Sequence, residues 1–351
     1  MIGGNGPNSY AMNSSNQRDG GLMACAVVKE VILKDSGLGR LSSGNPFRIA
    51  DLGCSVGPNT FDAVDAVIEA VKLKLVNDDD APPEFQVFLN DLPSNDFNTL
   101  LRSPRLMEGC GYFAAAVPGS CHGRLFPKSS LHLVHSFYAL QWLSHVPKEV
   151  ENETSRAWNK GKILSTRAPR EVVEAYSAQF AADMERFLQA RVEELVSGGL
   201  MSLLLPFQGE DDRPEDSFIS QLLLLLESTL MVMVAQGKLD EHLVDSFNLP
   251  LHLPTRNEFE TLVERNGCFA IDEIRMFVSS SKPVMTFDAG MLSNQVRAIV
   301  EGMMRKHFGG DEMIDEIVER HRVEIEEAAQ MLKLKLAAKR NLFVIIKRKP
   351  H

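Results

Sequence analysis

Residues 47–59 read FRIADLGCSVGPN, and this stretch decides the fold class. Phe47–Asp51 is a short apolar run that ends in an acid, which is typical of a buried strand. Gly53 then predicts a turn, and Thr60–Val76 follows with apolar residues at helical spacing. The stretch therefore predicts a strand–turn–helix unit with polar groups at the carboxyl end of the strand.

The same alternation continues along the chain. Short apolar runs recur at Phe85–Leu89, Tyr112–Val117 and Leu131–Ser136, and a helix is predicted earlier, at Leu22–Leu33. The second half adds a helix at Pro169–Val196, which Gly198-Gly199 should end, and strands at Leu200–Leu205, Cys268–Ile274 and Leu342–Ile346. Alternating strands and helices predict a doubly wound, mainly parallel sheet.

Helical segments are expected between the later strands, at Asp216–Ala235, Gln295–His307 and Asp311–Leu336. A further helix should open at Thr255, where Glu258 three residues later completes the pattern of a capping box. These segments predict a helical layer inserted between sheet elements. The expected fold class is therefore α/β with an α-helical cap.

Composition excludes several classes of protein. The chain has 351 residues, 44% of them apolar and 24% charged, which is typical of one large or two moderate globular domains. The net charge of −10 argues against a nucleic-acid partner, because binding to phosphates requires a basic face. The most apolar segment, Ile219–Val234, contains Glu227 and is shorter than the ~20 residues of a membrane span. It predicts a buried helix and no membrane partner.

Cysteine usage and the N-terminus suggest a compartment. The five cysteines stand at 25, 54, 110, 121 and 268, an odd number without a CxxC pair, which favours free thiols in a reducing compartment. The N-terminal MIGGNGPNSY has neither a basic nor an apolar region, so a secretory signal is not expected. We therefore expect a cytoplasmic protein.

The candidate chemistry lies at two strand ends. Ligands of doubly wound sheets bind outside the carboxyl ends of the strands, and here the first two strands end near Asp51 and Asp91. Gly53 and Gly57 let a ligand approach the backbone, but they form neither a P-loop nor GxGxxG. A nucleoside without phosphates fits such a site, and S-adenosyl-L-methionine (SAM) is the commonest such cofactor. The alternative is an ordinary strand–helix turn.

Eight segments in chain order give the sequence its resemblance to a known family. They are GGxGxxSYxxNS (Gly3–Ser14), ADLGCSVGPNT (Ala50–Thr60), FLNDLPSNDFN (Phe88–Asn98), VPGSCHGRLFP (Val117–Pro127), SFYALQWLSHVP (Ser136–Pro147), WNKGKI (Trp158–Ile163), DSFNLP (Asp245–Pro250) and HFG (His307–Gly309). The chain resembles the plant SABATH methyltransferases, nearest to the branch with loganic-acid and farnesoic-acid carboxyl methyltransferases. The resemblance implies a Rossmann-like class I methyltransferase sheet with an inserted α-helical cap.

The resemblance also implies how SAM is held. The matching cofactor residues are Tyr10, Ser14, Asp51, Cys54, Asn59, Asp91, Leu92, Ser120 and Cys121. The family usually has Phe at the last of these positions, packed on the adenine, so Cys121 is expected to loosen that wall. This chain also has few residues before its GGxG segment, so its N-terminal lid is expected to be incomplete or mobile.

The substrate side matches the family's acid-methylating members. Gln17 and Trp142 match the residues that grip the substrate carboxylate, and Tyr138 and Gln141 are expected in the same pocket. The pocket walls are expected around Leu203–Phe207, Phe218–Leu226 and His252–Leu253, with Gln141 or His252 able to bind a hydroxyl. Because a carboxylate is already ionised at pH 7, positioning is enough and no catalytic base is assigned. His135, His145 and His242 are interpreted as satisfied or exposed.

The preferred function is SAM-dependent carboxyl O-methylation of a small plant carboxylic acid. The alternatives are an N-methyltransferase acting on nicotinate or xanthine and a catalytically degenerate cofactor-binding paralogue. The resemblance further implies a homodimer and a possible Mg²⁺ site at Asn159, Asp245, Phe247 and Asn248. The expected divisions are the N-terminal lid (1–20), the core (21–147, 169–207, 263–284 and 339–351), a connection (148–168) and the cap (208–262 and 285–338).

Overall fold

The computed structural model describes residues 1–35, 37, 45–77, 82–209, 217–278, 287–337 and 340–350. Seven strands form one sheet in the order β3-β2-β1-β4-β5-β7-β6, in which β7 runs antiparallel to both neighbours. The strands are β1 (Phe47–Leu52), β2 (Phe85–Asp91), β3 (Phe113–Pro118), β4 (Leu131–Phe137), β5 (Leu195–Pro206), β6 (Phe269–Val278) and β7 (Arg340–Arg348). The Rossmann-like class I methyltransferase sheet is thereby confirmed.

Eleven α-helices lie in the described part of the chain. They are α1 (Ser15–Lys34), α2 (Asn59–Asn77), α3 (Phe97–Leu101), α4 (Pro104–Met107), α5 (Arg170–Glu194), α6 (Phe218–Ala235), α7 (Glu241–Asp245), α8 (Arg256–Asn266), α9 (Ala289–Phe308), α10 (Asp311–Glu327) and α11 (Ala329–Ala337). Helices α1 and α2 pack on one face of the sheet, and α5 and α8 pack on the other. Helices α6, α9, α10 and α11 enclose a separate apolar core, which is the cap.

Helix α6 is the most apolar of these helices. Among the described residues it is the one helix whose length and composition would suit a membrane span. Ten of its residues are buried, and its apolar side chains belong to the core of the cap. Burial against α9 and α10 accounts for its composition, as expected for a buried helix.

The end of α5 and the start of β5 differ from the sequence prediction. Helix α5 ends at Glu194, and β5 runs through Gly198-Gly199, so the prediction that these glycines end the helix is wrong. A Cβ at Gly199 would lie 3.1 Å from the carbonyl oxygen of His132, so the glycine permits close approach of β4. The register between β4 and β5 shifts at this point, as is typical of a glycine at a bulge.

The capping box at Thr255 is half formed. Its hydroxyl accepts a hydrogen bond from the Glu258 N–H at 3.1 Å, but the Glu258 carboxylate is bonded to Ser177 and His252. The predicted helix at Asp311–Leu336 is two helices, since α10 ends before Ala328 and α11 begins after it. The predicted boundaries at Asp216, 284–285 and 338–339 lie outside the described residues.

Candidate active site

The turn after β1 is hydrogen-bonded to β2. Strands β1 and β2 pair in parallel, so the N–H groups of Gly53 and Cys54 both reach the carbonyl of Asn90, at 2.9 Å each. Gly53 has φ +92°, and a Cβ there would lie 2.4 Å from the Cβ of Ala139. Only glycine therefore permits this turn so close to the segment after β4.

Asp91 stands at the end of β2. One carboxylate oxygen accepts the Ser55 N–H at 2.8 Å and the other accepts the Leu92 N–H at 2.7 Å. Burial is the largest cause of a raised pKa for Asp91, partly offset by these two hydrogen bonds. Each oxygen keeps a second lone pair, so the carboxylate can bind a hydroxyl pair while it holds the turn.

The loop after β3 lies beside Asp91. Strand β3 pairs with β2 up to Pro118, and the Gly119 N–H donates to the Asp91 carbonyl at 2.9 Å. The predicted cofactor residues Ser120 and Cys121 follow directly. Burial raises the pKa of the Cys121 thiol to about 11, so the thiol is neutral at pH 7. The structure thus brings the ends of β1, β2 and β3 together in that order along one edge.

A first cavity of about 530 Å³, including its open mouth, lies beside the end of β1. Six predicted cofactor or substrate residues line it: Tyr10, Asp51, Cys54, Asn59, Gln17 and Tyr138. Ser14 adjoins it, because the Asn59 side-chain amide donates to the Ser14 hydroxyl at 3.0 Å. Burial raises the pKa values of Tyr10 and Cys54, so both are neutral. Four predicted cofactor residues do not line this cavity: Asp91, Leu92, Ser120 and Cys121.

Asp51 and His135 form a buried pair in the wall of the first cavity. Thr60 donates a hydrogen bond to the Asp51 carboxylate, and His135 Nε2 lies 3.2 Å from its other oxygen. Neither ring nitrogen of His135 makes a hydrogen bond with good geometry to any described residue. His135 is therefore buried beside Asp51, and the sequence did not show that β4 places it there.

A second cavity of about 870 Å³, including its mouth, adjoins the first. Tyr10, Gln17 and Tyr138 line both cavities, and Gln141 and Trp142 line the second. Its walls are mainly apolar and include Phe218, Ile219, Leu222, Leu251, Val296 and Ile299. All four predicted substrate residues therefore line the second cavity, and two of them, Gln17 and Tyr138, also line the first. A mainly apolar lining with a few polar groups is typical of small-molecule sites.

Tyr138 is held in an unusual conformation. Its φ is +59°, its N–H donates to the Leu204 carbonyl at 2.7 Å, and its own carbonyl accepts the Gln141 side-chain amide at 2.7 Å. A non-glycine residue in this region costs of order 1–3 kcal/mol and persists where the surroundings impose it. The Tyr138 hydroxyl packs against Gly20 of α1, where no larger residue fits.

The N-terminal segment lies across the site. Ile2 donates its N–H to the carbonyl of Ala298 in α9 at 2.8 Å, and the Tyr10 N–H donates to the Ile2 carbonyl at 3.0 Å. Met1 lines the second cavity, and the Ser55 hydroxyl lies 3.4 Å from its sulfur. The predicted lid is thus hydrogen-bonded to the cap in this structure.

Sequence reasoning missed part of the second cavity. Asn16, Gln295, Arg340 and Asn341 also line it, together with the apolar face of α9. The Asn16 amide donates to Gln295 at 2.6 Å, which joins α1 to α9. The sequence predicted a helix at Gln295–His307, but no pattern showed that its apolar face meets α1. The predicted role of His252 is wrong, because it pairs with Glu258 and does not line the cavity.

Two of the predicted Mg²⁺ residues are bonded to each other. The Asn159 side-chain amide donates to the Asn248 side-chain oxygen Oδ1 at 2.8 Å. Asp245 accepts a backbone N–H, and Lys160 Nζ lies 3.9 Å from its other oxygen. The single carboxylate of this set faces a lysine, and the buried side-chain oxygen of Asn159 accepts no hydrogen bond from the described residues. No group of three or more His, Cys, Asp or Glu suited to a metal occurs among the described residues. Mg²⁺ remains a prediction, and no step below uses it.

Comparisons with known proteins agree with this geometry. A family model described as SAM-dependent carboxyl methyltransferase matches residues 1–349. Loganic acid O-methyltransferase of Catharanthus roseus is 39% identical over 353 residues, which cover 99% of this chain and 94% of that protein. Farnesoic acid carboxyl-O-methyltransferase of Arabidopsis thaliana is 38% identical over 314 residues, which cover 89% of this chain and 88% of that protein.

A solved structure extends the comparison to three dimensions. A loganic acid methyltransferase with S-adenosylhomocysteine (SAH) superposes with a TM-score of 0.93 at 39% identity, covering 100% of this chain and 99% of that one. The strand-end acids, the two joined cavities and the family match lead to one conclusion. The chain belongs to the family of SAM-dependent carboxyl methyltransferases, as its resemblance to the SABATH enzymes implied.

Proposed function

We propose that this enzyme methylates the carboxylate of a largely apolar acid that carries a hydroxyl near the carboxylate. The observation that carries the proposal is the junction of the two cavities at Tyr10, Gln17 and Tyr138. The first cavity lies at the strand ends, where SAM binds in such sheets. The second would then hold the acid with its carboxylate toward the junction.

SAM, when bound, supplies an electrophilic methyl group. The chain's own residues have to orient the acceptor oxygen and exclude water. Gln17 and the Trp142 indole are neutral donors, so they can hold a carboxylate without cancelling its charge. The negative carboxylate is attracted to the electrophilic methyl group of SAM. The apolar wall from α6 and α9 strengthens this attraction, because it keeps the local dielectric constant low.

The lining of the second cavity favours a carboxylate over a xanthine nitrogen. Among the described residues that line it there is no His, Asp, Glu or Cys. Burial raises the pKa of both Tyr10 and Tyr138, so neither hydroxyl is a base near neutral pH. A xanthine nitrogen would have to lose a proton to a base, whereas a carboxylate is already ionised.

Gln141 supports a hydroxyl on the substrate. Its side-chain N–H donates to the Tyr138 carbonyl at 2.7 Å, which fixes the orientation of the amide. Its side-chain oxygen Oε1 is buried and accepts no hydrogen bond from the described residues. A buried acceptor without a donor costs about 1–3 kcal/mol, and a substrate hydroxyl would supply that donor.

A radiolabelled methyl-transfer assay on paired acids tests the proposal. Each pair should differ only in a hydroxyl near the carboxylate, with farnesoic and jasmonic acids as unpaired apolar references and nicotinate and a xanthine as nitrogen acceptors. We expect kcat/KM to be about tenfold or more higher for the hydroxylated member, and rates to be flat from about pH 6 to 9. A preferred acceptor without a carboxylate would overturn the proposal. Equal kcat/KM values for the two acids of each pair would overturn the inference that the substrate carries a hydroxyl near its carboxylate.

We also propose, from the family resemblance, that the protein is a cytoplasmic homodimer. Multi-angle light scattering at micromolar concentration should give twice the mass of one chain. A monomeric mass at that concentration would contradict the dimer. Imaging of a fluorescent fusion in plant cells tests the compartment, and fluorescence confined to an organelle would contradict it.

A further inference from the structure

The loop at residues 119–126, which follows β3, is bonded to a buried ion pair on α5. The side chains of Arg191 and Glu194 are both 0% exposed, and Arg191 Nη2 lies 2.7 Å from Glu194 Oε2. Arg191 Nη1 donates to the Cys121 carbonyl at 3.0 Å, and Nη2 donates to the Gly123 carbonyl at 2.9 Å. The guanidinium therefore binds the acid and two carbonyls of one loop at once.

Glu194 binds the other half of the same loop. Its Oε1 accepts the N–H groups of Leu125 and Phe126, the second at 2.9 Å. The guanidinium of Arg191 also lies over the Phe187 ring, 5.2 Å from its centroid. Two side chains from the last turn of α5 thus satisfy four backbone groups of the loop.

Burial of such an ion pair costs free energy. Each buried charge loses several kcal/mol of hydration, and apolar residues of similar volume often do as well or better for stability. The hydrogen bonds of Arg191 and Glu194 are directed at the loop, so their specific effect is on the loop's backbone conformation. Fixing the backbone of the loop matters for function only if a ligand binds to the loop.

The position of the loop indicates which ligand it would bind. Strand β3 lies next to β2, and the Gly119 N–H reaches the Asp91 carbonyl, so the loop adjoins Asp91, whose carboxylate can bind the two ribose hydroxyls of SAM. From the first cavity at β1, past Asp91 on β2, the next element along the edge is this loop. A nucleoside bound with its ribose on Asp91 would place its base there.

We propose that Arg191 and Glu194 are positioning residues for the adenine end of SAM. They hold the backbone of residues 119–126 in the conformation that the base binds, so the loop is organised before the cofactor arrives. The inference rests on the proposed placement of the cofactor along the strand ends. It concerns cofactor affinity, and it does not depend on which acid is methylated.

The test compares Arg191→Lys with Arg170→Lys, the same change at an exposed arginine near the start of the same helix. Lysine keeps the positive charge beside Glu194, but its compact ammonium cannot span both loop carbonyls as the guanidinium fork does. We expect the dissociation constant of SAH, by calorimetry, and the KM for SAM to rise about tenfold in Arg191→Lys. The KM for the acid should stay within twofold, and Arg170→Lys should match the parent.

A merely structural role makes a different prediction. It would lower the melting temperature of Arg191→Lys and leave the SAH affinity of the folded protein unchanged, which would overturn the proposal. If Arg191→Lys does not fold, the double variant Arg191→Met/Glu194→Met removes both charges and restores an apolar fit. Weakened SAH binding by that variant supports the proposal, and parental affinity overturns it. Failure of the parent on every acid would count against the proposed substrate and would leave the SAH comparison intact.

Discussion

Gly20 of α1 offers a sharp test of how the active site is packed. A Cβ at this position would lie 1.8 Å from the Tyr138 hydroxyl oxygen and 2.9 Å from the adjacent ring carbon. In an open helix, Gly→Ala normally stabilises by about 1 kcal/mol. In Gly20→Ala the methyl group would instead overlap the end of a ring that lines both cavities.

The size of the effect follows from how little Tyr138 can move. Ordinary contact is near 3.5 Å, so the ring end has to shift by roughly 1.7 Å. The Tyr138 backbone is bonded on both sides, to the Leu204 carbonyl and the Gln141 side chain, so the ring cannot retreat with its backbone. A misplacement of about 1 Å in an active site can cost ~100-fold in rate. We therefore expect kcat/KM of Gly20→Ala to fall about 100-fold.

Stability should change much less. The gain in helix propensity is offset by overpacking of about 1–3 kcal/mol, so the net loss should be about 0–2 kcal/mol. Gly302 of α9 is the matched control, because it is exposed and a Cβ there would meet nothing within 4 Å. Gly302→Ala should keep full activity and gain about 1 kcal/mol. The prediction is tested by measuring the methyl-transfer rates of both variants and their free energies of unfolding in denaturant. Two equally active variants would refute the packing argument.

Three further predictions concern other parts of the molecule. Gln17→Leu should lower kcat/KM for the acid about 10- to 150-fold through loss of a donor to a charged group, whereas the exposed Gln189→Leu should not, and equal activity of the two would refute the donor role. Asp91→Asn keeps one oxygen for the turn but loses the charge that we expect to bind ribose, so calorimetry should show SAH affinity at least tenfold weaker, and parental affinity would refute the assignment. Burial lowers the pKa of His321 from 6.5 to about 4. Below pH 6.5 the unfolded chain therefore binds a proton that the folded protein does not. Stability from this group, complete above pH 6.5, should fall by about 3 kcal/mol toward pH 4, and His321→Gln should reduce that slope in denaturant unfolding. An identical slope would contradict the prediction.

Much of the sheet could be predicted because strands and helices leave local signals. Apolar runs at Phe47–Asp51 and Phe85–Leu89 lie in β1 and β2, and helical spacing at Thr60–Val76 lies in α2. Local signals failed where a long-range contact decided the structure. Gly198-Gly199 is a typical helix stop, yet it lies in a strand whose glycines allow β4 to approach.

The candidate site shows the same division. Acids at the ends of β1 and β2 predicted a nucleoside site, and the resemblance carried by eight segments implied a SAM-dependent carboxyl methyltransferase. The partners of those residues were not predictable. His135 opposite Asp51 and the apolar face of α9 in the substrate cavity depend on which elements pack together.

The sequence by itself determined the family, the order of strands and helices, and the kinds of side chain at the strand ends. These depend on residue spacing within one element and on the chemistry of short motifs. The tertiary structure alone decided the walls of the substrate cavity, the fit of Gly20 against Tyr138, and the ion pair that binds the loop after β3. Asn16 bonds Gln295 across 279 positions, and Arg191 bonds the Cys121 carbonyl across 70. Contacts over such separations arise only when the sheet and the cap pack, because no local pattern specifies which distant residue will lie opposite.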